Sequence, residues 1–171
     1  NPPYVTSGSR SLRTAIDHSD LSSYYPSIGR GTEALAIQWI VTNLKEGGKG
    51  FVIVPDGLMN QSSILKFIKD SCFIDAVVAL PSRTFFSTPK KTYIIAVTKK
   101  GEDKVKQEFP VFTYLISEIG ESKDSRRVPK DENDLGDLVI EYGYFTANKK
   151  VFKTKNSRCK IIDWDRFDEM S

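Results

Sequence analysis

The sequence predicts an α/β fold: part of a mixed sheet with helices on its faces and a last antiparallel hairpin, followed by a small α+β tail. Residues 51–54 are a short, continuous apolar run rich in β-branched residues, and residues 74–80 are a second, mostly apolar run; both are typical of strands covered on both faces. A helical pattern precedes each run, and this alternation is typical of an α/β sheet. A third apolar run, residues 93–98, follows the second with no helix between them. We therefore expect the last two strands to pair antiparallel.

The composition is that of a folded protein without a metal, disulfide or membrane signature. Hydrophobic residues make up 39% of the 171 residues, and the formal charge of +3 is small for a dedicated nucleic-acid clamp. The two cysteines, Cys72 and Cys159, lie outside any CxxC pair, which indicates a reduced intracellular protein and no zinc site. No apolar run approaches the ~20 residues of a membrane span. No signal peptide opens the chain, and we expect no membrane partner.

Helix signals lie on both sides of the first predicted strand. Residues 1–30 are rich in Ser, Gly, Pro and Tyr and have no helical or strand period, so they predict a long loop. Thr32 is the predicted N-cap of a buried helix that Gly47-Gly48 would close. Ser62 and Ser63 are predicted to cap a second, amphipathic helix.

The tail beyond Gly101 is more polar than the preceding segment. Its predicted parts are, in order, a charged linker (101–110), a strand (111–116), a charged exposed loop (120–132), a helix and a short strand (159–162). Asp131 or Asn133 would cap that helix, and its apolar face would consist of Leu135, Leu138, Val139 and Tyr142.

The tetrapeptide Asn1-Pro2-Pro3-Tyr4 carries the groups needed to hold a planar amine. An exocyclic amine such as adenine N6 is a poor nucleophile, because its lone pair is delocalised into the ring. The Asn1 side-chain oxygen and the Pro2 carbonyl can accept both amine protons, which favours a more tetrahedral nitrogen. The prolines fix φ and so hold that carbonyl in place, and Tyr4 offers a face on which an extruded base can stack. Taken alone, the tetrapeptide favours an ordinary Pro-rich turn over a binding motif.

Four segments in order resemble the N6-adenine DNA methylase family. They are NPPY, a buried helix, GGKGFVIVPDGLMN and LPSRTFFSTPKKTYIIAVTKK, which together cover about residues 1–100. The chain is most similar to modification subunits of type I restriction-modification systems and to related fused restriction-methylation enzymes. The Glu-Asn-Asp-Leu segment at 132–135 resembles the region after the methylase core less specifically. We therefore divide the chain into a methyltransferase segment, residues 1–100, and a C-terminal extension, residues 101–171.

The resemblance implies the C-terminal half of a Rossmann-like, S-adenosylmethionine-dependent methyltransferase sheet. Family members bind S-adenosylmethionine through a Gly-rich turn after the first sheet strand and an acidic residue after the second, and both precede NPPY. We expect those groups upstream of Asn1, which is itself an unusual first residue. Asn1, Pro2, Pro3 and Tyr4 would be the catalytic site that methylates N6 of a flipped adenine. The fragment alone is expected to bind no cofactor and to catalyse no reaction.

The resemblance also implies a second aromatic plate on the flipped base, at Phe85 or Phe86. We favour Phe86 because its spacing to the last strand suits the role better, and we expect the other ring to pack in the core. Asp56 directly follows a predicted strand, where open α/β sheets bind their ligands. The alternative is that Asp56 only forms a turn with Gly57.

Six cationic side chains are candidates for contacts with DNA phosphates. Three lie near the aromatic pair and three in the N-terminal segment: Arg83, Lys90, Lys91, Arg10, Arg13 and Arg30. A solvated surface is an equally good interpretation of these residues. The basic run at 126–130 has acidic neighbours, and there the solvated interpretation is favoured.

The partners implied are duplex DNA, a specificity subunit or fused target-recognition domain, and a restriction subunit, in the cytoplasm of a bacterium or archaeon. A non-catalytic module, in which the tail docks a specificity subunit or binds DNA, is the alternative from another class. NPPY also occurs in methyltransferases that act on RNA bases or protein glutamine. Without the strands expected upstream, the fragment would expose a sheet edge and an apolar patch, and we expect it to self-associate.

Overall fold

The structure, a computed structural model, describes residues 8–27, 29–86 and 88–169. The Asn1 to Tyr4 motif therefore lies outside the described residues. The helices are α1 (Ser9–Asp17), α2 (Thr32–Asn43), α3 (Asp56–Met59), α4 (Ser62–Ser71), α5 (Leu135–Ala147) and α6 (Trp164–Glu169). The strands are β1 (Lys49–Pro55), β2 (Cys72–Leu80), β3 (Thr92–Lys99), β4 (Val111–Leu115), β5 (Ile119–Glu121), β6 (Pro129–Asn133) and β7 (Cys159–Ile162).

Five strands form one mixed sheet in the order β1-β3-β2-β4-β7, and β5 pairs with β6 in a separate hairpin. β3 runs antiparallel to both β1 and β2, so the predicted antiparallel pairing of the last two strands is confirmed. β4 is parallel to β2, and β7 is antiparallel to β4. The tail thus supplies two strands, both of them predicted, to the sheet formed by the first 100 residues.

Each face of the sheet carries an apolar cluster. On one face, α2 and α4 form what we call the helix-side cluster with fully buried Ile37, Val41, Ile64 and Ile68. Burying an aliphatic side chain of this size stabilises a fold by roughly 1.5–3 kcal/mol. On the other face, the α5-side cluster packs Phe145 of α5 against Phe112 of β4, with ring centroids 5.4 Å apart.

A β-bulge in β2 changes the face that its side chains cover. Cys72 and Ile74 belong to the helix-side cluster, whereas Ala76 and Val78 belong to the α5-side cluster. Side chains alternate along a regular strand, so these four would otherwise share one face. The register shift between Ile74 and Ala76 inserts the extra residue that reverses the alternation.

The bulge residue, Asp75, is a buried carboxylate with two partners. Its side chain is only 2% exposed. Thr98 of β3 donates a hydrogen bond from Oγ1 to Asp75 Oδ2, and Lys149 donates from Nζ to Asp75 Oδ1. The Lys149 ammonium also lies 4.0 Å from the centre of the Phe109 ring. Because Lys149 follows α5, this ion pair fixes the tail to the middle of the sheet.

The N-terminal segment contains a helix, and the prediction of one long loop is wrong. Residues 9–17 form α1, and residues 22–24 form a turn of 3-10 helix. Leu12, Ala15 and Ile16 do have the spacing of an amphipathic helix, but three apolar positions in a short segment are a weak signal, and only Ile16 is buried. Arg13 stabilises the segment instead: Nε pairs with Asp17 at 3.0 Å and Nη1 donates to the Ser27 carbonyl at 2.9 Å.

The predicted helix caps differ from those observed. Gly31 is the N-cap of α2 and Gln61 that of α4, and neither cap has a side-chain hydrogen bond to its helix. Thr32 and Ser62 are the first helical residues, and Ser63 is the second residue of α4.

The Gly47-Gly48 pair also does not close α2, which ends at Asn43. Gly47 instead has φ 71° in the turn that enters β1, a left-handed conformation that glycine adopts without strain. Its N–H donates to the Lys99 carbonyl at 3.0 Å, so the pair starts the strand.

The loop predicted at residues 120–132 instead forms most of the β5–β6 hairpin. Every residue of β6 is exposed, so no apolar alternation marks the strand. Side chain to backbone bonds stabilise the region: the Asp134 carboxylate accepts the N–H groups of Ser117 and Glu118 at 2.8 and 2.9 Å. The N-cap of α5 is Asp134, so the prediction of Asp131 or Asn133 is wrong, although the Asn133 side chain accepts a hydrogen bond from the Leu135 N–H at 3.0 Å. The short helix α6 was not predicted, and its Trp164 packs in the helix-side cluster.

β1 is an outer strand of the sheet and, within the described ranges, pairs with β3 alone. Beside it, an apolar groove of about 380 Å³ crosses the sheet face that α5 partly covers. Phe51 of β1 lines this groove and is 60% exposed. An exposed edge and apolar patch are therefore present in the part of the chain that is described.

None of the helices in that part is long and apolar enough to cross a membrane.

Candidate functional site

The carboxyl ends of β1 and β2 and the start of β3 meet at one edge of the sheet. Pro55 of β1 and Leu80 of β2 both pair with Thr92 of β3. Asp56 directly follows β1, and residues 81–91 connect β2 to β3. Ligands of open α/β sheets bind at the carboxyl ends of the strands, so we take this edge as the candidate site.

The loop of residues 81–91 exposes one aromatic ring and packs the other, partly buried, against the sheet. Thr84 donates from Oγ1 to the Pro81 carbonyl at 2.7 Å, which turns the chain as it leaves β2. Phe85 then packs against the α5-side cluster, whereas Phe86 is 80% exposed. Packing within the described residues therefore explains an aromatic side chain at Phe85 but gives no reason for one at Phe86. An exposed aromatic face beside a strand end is available to stack on a planar ligand.

Asp56 is joined to β3 on the same edge. Its N–H donates to the Lys91 carbonyl at 3.1 Å, and its Oδ1 accepts the Tyr93 hydroxyl at 3.2 Å. The Lys91 ammonium lies 5.4 Å from the centre of the Tyr93 ring. These contacts keep an exposed carboxylate close to the loop that carries Phe86. A role for Asp56 toward a ligand stays a prediction.

Three of the six cationic candidates lie on the same loop as Phe86. Arg83, Lys90 and Lys91 are all exposed. Arg83 has φ 64°, a left-handed backbone conformation that is uncommon for a residue with a Cβ atom. Cations beside an exposed aromatic ring suit a polyanion that carries planar bases, which is the chemistry of nucleic acid.

The three N-terminal arginines have other surroundings. Arg10 is exposed on α1, and Arg13 is engaged within its own segment by the contacts described above. The backbone of Arg30 is bonded on both sides by the Gln61 side chain, which accepts its N–H at 2.7 Å and donates to its carbonyl at 2.9 Å. The structure does not bring these arginines into the β2–β3 loop, and their contacts with DNA stay predictions.

A second wall of the site comes from the β5–β6 hairpin, which the sequence did not indicate. A cleft of about 430 Å³ separates it from the β2–β3 loop; its lining residues are Arg83, Phe85, Phe86, Thr88, Pro89, Lys123, Asp124, Ser125 and Arg127. Arg127 crosses from the hairpin to the loop: Nη2 donates to the Arg83 carbonyl at 2.9 Å and Nη1 to the Thr84 carbonyl at 3.0 Å. No local pattern predicts this contact, since Arg127 and Thr84 are 43 positions apart.

Thiol and metal chemistry have no support in the described ranges. Burial raises the pKa of the Cys72 thiol and of the Cys159 thiol to about 11. Both thiols are therefore protonated at neutral pH, and a protonated thiol is a weak nucleophile. No group of three or more His, Cys, Asp or Glu side chains that could hold a metal ion occurs in the same ranges.

Solved structures share this fold. A chain from a structure of a type I restriction-modification system, described for its complex assembly and conformational transition, superposes with a TM-score of 0.72 and 19% identity, over 99% of this chain and 34% of its own length. A Listeria monocytogenes protein, described as a class I S-adenosylmethionine-dependent methyltransferase, superposes with a TM-score of 0.50 and 22% identity, over 82% of this chain and 39% of its own. The predicted fold class, part of a methyltransferase sheet of this type, is confirmed.

The family follows from the sequence comparison. The family model for the N-6 DNA methylases matches residues 1–169, so the chain belongs to the N-6 DNA methylase family. The type I restriction enzyme MpnII methylase subunit of Mycoplasma pneumoniae is 29% identical over 146 residues, which are 80% of this chain. The chain spans 26% of the length of that relative. The resemblance first seen in NPPY and the segments after it is thereby confirmed.

Proposed function

We propose that the full-length protein containing this chain transfers the methyl group of S-adenosylmethionine to N6 of an adenine flipped out of duplex DNA. The observation that carries the proposal, beside the family, is the 80% exposure of Phe86 at the carboxyl edge of the sheet. A flipped base loses its stacking neighbours in the duplex, and an aromatic side chain restores part of that stacking. Phe85 is partly buried against the α5-side cluster, so Phe86 is the more accessible of the two rings.

Asn1, Pro2, Pro3 and Tyr4 are proposed to bind the target amine and the second face of the base. S-adenosylmethionine, when bound, supplies the electrophilic methyl group. The Asn1 side-chain oxygen and the Pro2 carbonyl accept the two amine protons and direct the nitrogen lone pair toward the methyl donor. Pro2 and Pro3 restrict the backbone, which reduces the cost of ordering these acceptors. Tyr4 stacks on the base face opposite Phe86.

The binding groups for S-adenosylmethionine are proposed to lie outside this chain. The chain spans 26% of the length of the M. pneumoniae relative and 34% of the length of the type I chain. Most of the length of each of these two proteins therefore has no counterpart in this chain. We propose that the remaining part of the full-length protein pairs with the free edge of β1 and covers the groove at Phe51. The fragment alone is then inactive, and its free edge is open to pairing with a second copy.

The DNA backbone is proposed to lie along the same edge of the sheet. Arg83, Lys90 and Lys91 would contact phosphates beside the flipped nucleotide, and such contacts fix the position of the duplex without reading its sequence. Arg10 and Arg30 would add contacts from the N-terminal segment. Arg13 is the weakest of the candidates, because its guanidinium already pairs with Asp17 and with the Ser27 carbonyl.

A docking role for residues 101–171 is supported by a separate observation. Ile140 and Tyr144 of α5, which lie outside the lining of the groove at Phe51, are 57% and 67% exposed. Large apolar side chains exposed together on a helix are typical of a protein interface. We propose that this surface docks a specificity subunit or a fused target-recognition domain, in an assembly that includes a restriction subunit. Docking is compatible with catalysis by the same protein and is an alternative to it only if catalysis fails.

Replacing Phe86 by alanine in the full-length protein tests the site. Since stacking on an aromatic side chain contributes about 1–3 kcal/mol per base, we expect kcat/KM for a duplex substrate to fall about 5- to 150-fold. Phe86→Tyr keeps an aromatic face and is the matched control, expected to stay close to wild type. The thermal midpoint and S-adenosylmethionine binding should not change, because the ring is 80% exposed. A wild-type rate in Phe86→Ala would show that Phe86 is not the stacking residue.

A further inference from the structure

We infer that Arg127 is a positioning residue of the target-base site: its guanidinium fixes the loop that presents Phe86. The inference rests on the proposed function. It concerns a residue in the basic run at 126–130, for which the sequence favoured a solvated surface. Arg127 acts here through the loop backbone and not by contact with the base.

The contact joins the hairpin to the loop at the residues that precede the aromatic pair. Arg127 donates from Nη2 to the Arg83 carbonyl at 2.9 Å and from Nη1 to the Thr84 carbonyl at 3.0 Å. The planar guanidinium thus spans two consecutive peptide groups, immediately before Phe85 and Phe86. The fixed fork of an arginine suits this geometry, whereas a lysine ammonium has no such fork.

The hairpin side of the contact is itself ordered by hydrogen bonds. The Arg127 side chain is 19% exposed, and its Nη1 also pairs with Glu121 Oε1 at 3.0 Å. Next to it, the Ser122 N–H donates to the Val128 carbonyl at 2.7 Å, and the Val128 N–H donates to Ser122 Oγ at 2.8 Å. Arg127 is therefore attached to a closed turn of the hairpin.

The loop needs an external contact because Phe86 is not held by packing of its own ring. Arg83, whose carbonyl Arg127 binds, has φ 64°, and Arg127 itself has φ 50°. Left-handed conformations of residues with a Cβ atom persist when the surrounding structure determines them. Here the two conformations occur at the two ends of one bidentate contact. Fixing the loop before DNA arrives lowers the entropy that must be lost when the base stacks on Phe86.

The test compares Arg127→Ala with Arg126→Ala in the full-length protein. Arg126 is 82% exposed and pairs only with Asp124, at 3.3 Å, among the contacts described for its side chain, so it controls for loss of a neighbouring charge. We expect Arg127→Ala to lower kcat/KM for duplex DNA about tenfold, within the range of losing one base-stacking contact. Arg126→Ala should stay within about twofold, as is usual for exposed ion pairs.

Two further readouts separate positioning from general damage to the fold. A mismatch opposite the target adenine makes flipping easier, so it should relieve most of the Arg127→Ala defect. The double variant Arg127→Ala/Phe86→Ala should be no slower than Phe86→Ala alone, because the two residues act through one contact. Arg127→Lys keeps the positive charge but lacks the planar guanidinium, so it should also lower kcat/KM for duplex DNA. This variant replaces Arg127→Ala in the test if the alanine variant does not fold.

Three outcomes would overturn the inference while leaving the proposed function intact: Arg127→Ala as active as Arg126→Ala, an equal loss on matched and mismatched duplexes, or additive effects with Phe86→Ala. Failure of the proposed function is recognised differently. In that case the wild-type full-length protein transfers no methyl group to adenine in either duplex. The wild-type rate on the matched duplex therefore separates the two failures.

Discussion

Replacing Asn1 by alanine in the full-length protein is expected to lower the methylation rate by about 30- to 150-fold. This corresponds to about 2–3 kcal/mol of transition-state stabilisation, the size typical of losing one preorganised polar contact. The Asn1 side-chain oxygen is the proposed acceptor for one amine proton, and alanine has no acceptor to replace it. The measurement is single-turnover methyl transfer to a duplex that contains the recognised adenine.

Binding assays on the same variant separate catalysis from assembly. Asn1→Ala should still bind DNA, because the proposed phosphate contacts are made by Arg83, Lys90 and Lys91. It should also bind any specificity subunit, because the proposed docking surface consists of α5 residues. Loss of methylation with retained binding is the result expected of a catalytic residue. Near-normal turnover by Asn1→Ala would remove Asn1 from the catalytic site and leave the docking role as the better account of the chain.

Replacing Lys149 by methionine is expected to destabilise the fold by about 3 kcal/mol, because removing one partner of a buried ion pair leaves an uncompensated charge. The Asp75 carboxylate that remains is 2% exposed, and Thr98 is its one other partner among the contacts described. A loss of that magnitude lowers the midpoint of the unfolding transition that includes this segment by several degrees. The measurement is thermal unfolding of the full-length protein followed by circular dichroism.

The neighbouring lysine provides the control for this prediction. Lys150 pairs with Glu108 at 3.3 Å, but the two side chains are 66% and 76% exposed. An exposed pair of this kind contributes about 0–1 kcal/mol, so Lys150→Met should move the midpoint little. Equal midpoints for Lys149→Met and Lys150→Met would contradict the structural role given to the Asp75 pair. Replacing Asp75 by alanine together with Lys149→Met should restore part of the loss, because no unpaired charge is then buried.

The sheet could be predicted from the sequence because its strands carry strong local signals. β1, β2 and β3 are mostly apolar along their length, and the missing helix between β2 and β3 indicated their antiparallel pairing. α1 and the β5–β6 hairpin could not be predicted in the same way. Every residue of β6 is exposed, so this strand has no apolar alternation, and the helical spacing of Leu12, Ala15 and Ile16 in α1 is a weak signal because the segment is short. Contacts such as that of Arg13 with Ser27 stabilise them instead.

The spacing of the aromatic pair favoured Phe86 as the stacking ring, and this assignment stays a prediction; in the structure Phe86 is 80% exposed and Phe85 packs, partly buried, against the α5-side cluster. The second wall of the cleft could not be predicted from the sequence, because the hydrogen bonds of Arg127 join its side chain to backbone groups 43 and 44 positions away. Composition and periodicity contain no information on such a contact, and a basic run among acidic residues is usually solvated.

The proposed methylation of adenine in duplex DNA is tested by incubating the full-length protein with S-adenosylmethionine and three substrates: a duplex DNA library, an RNA oligonucleotide of matched composition and a protein extract. The products are digested and analysed by mass spectrometry. We expect N6-methyladenine in the duplex DNA, at one sequence context, and no methylated base in the RNA or methylated glutamine in the extract. Methylation of RNA or of glutamine without N6-methyladenine in DNA would contradict the assignment of adenine in duplex DNA as the substrate.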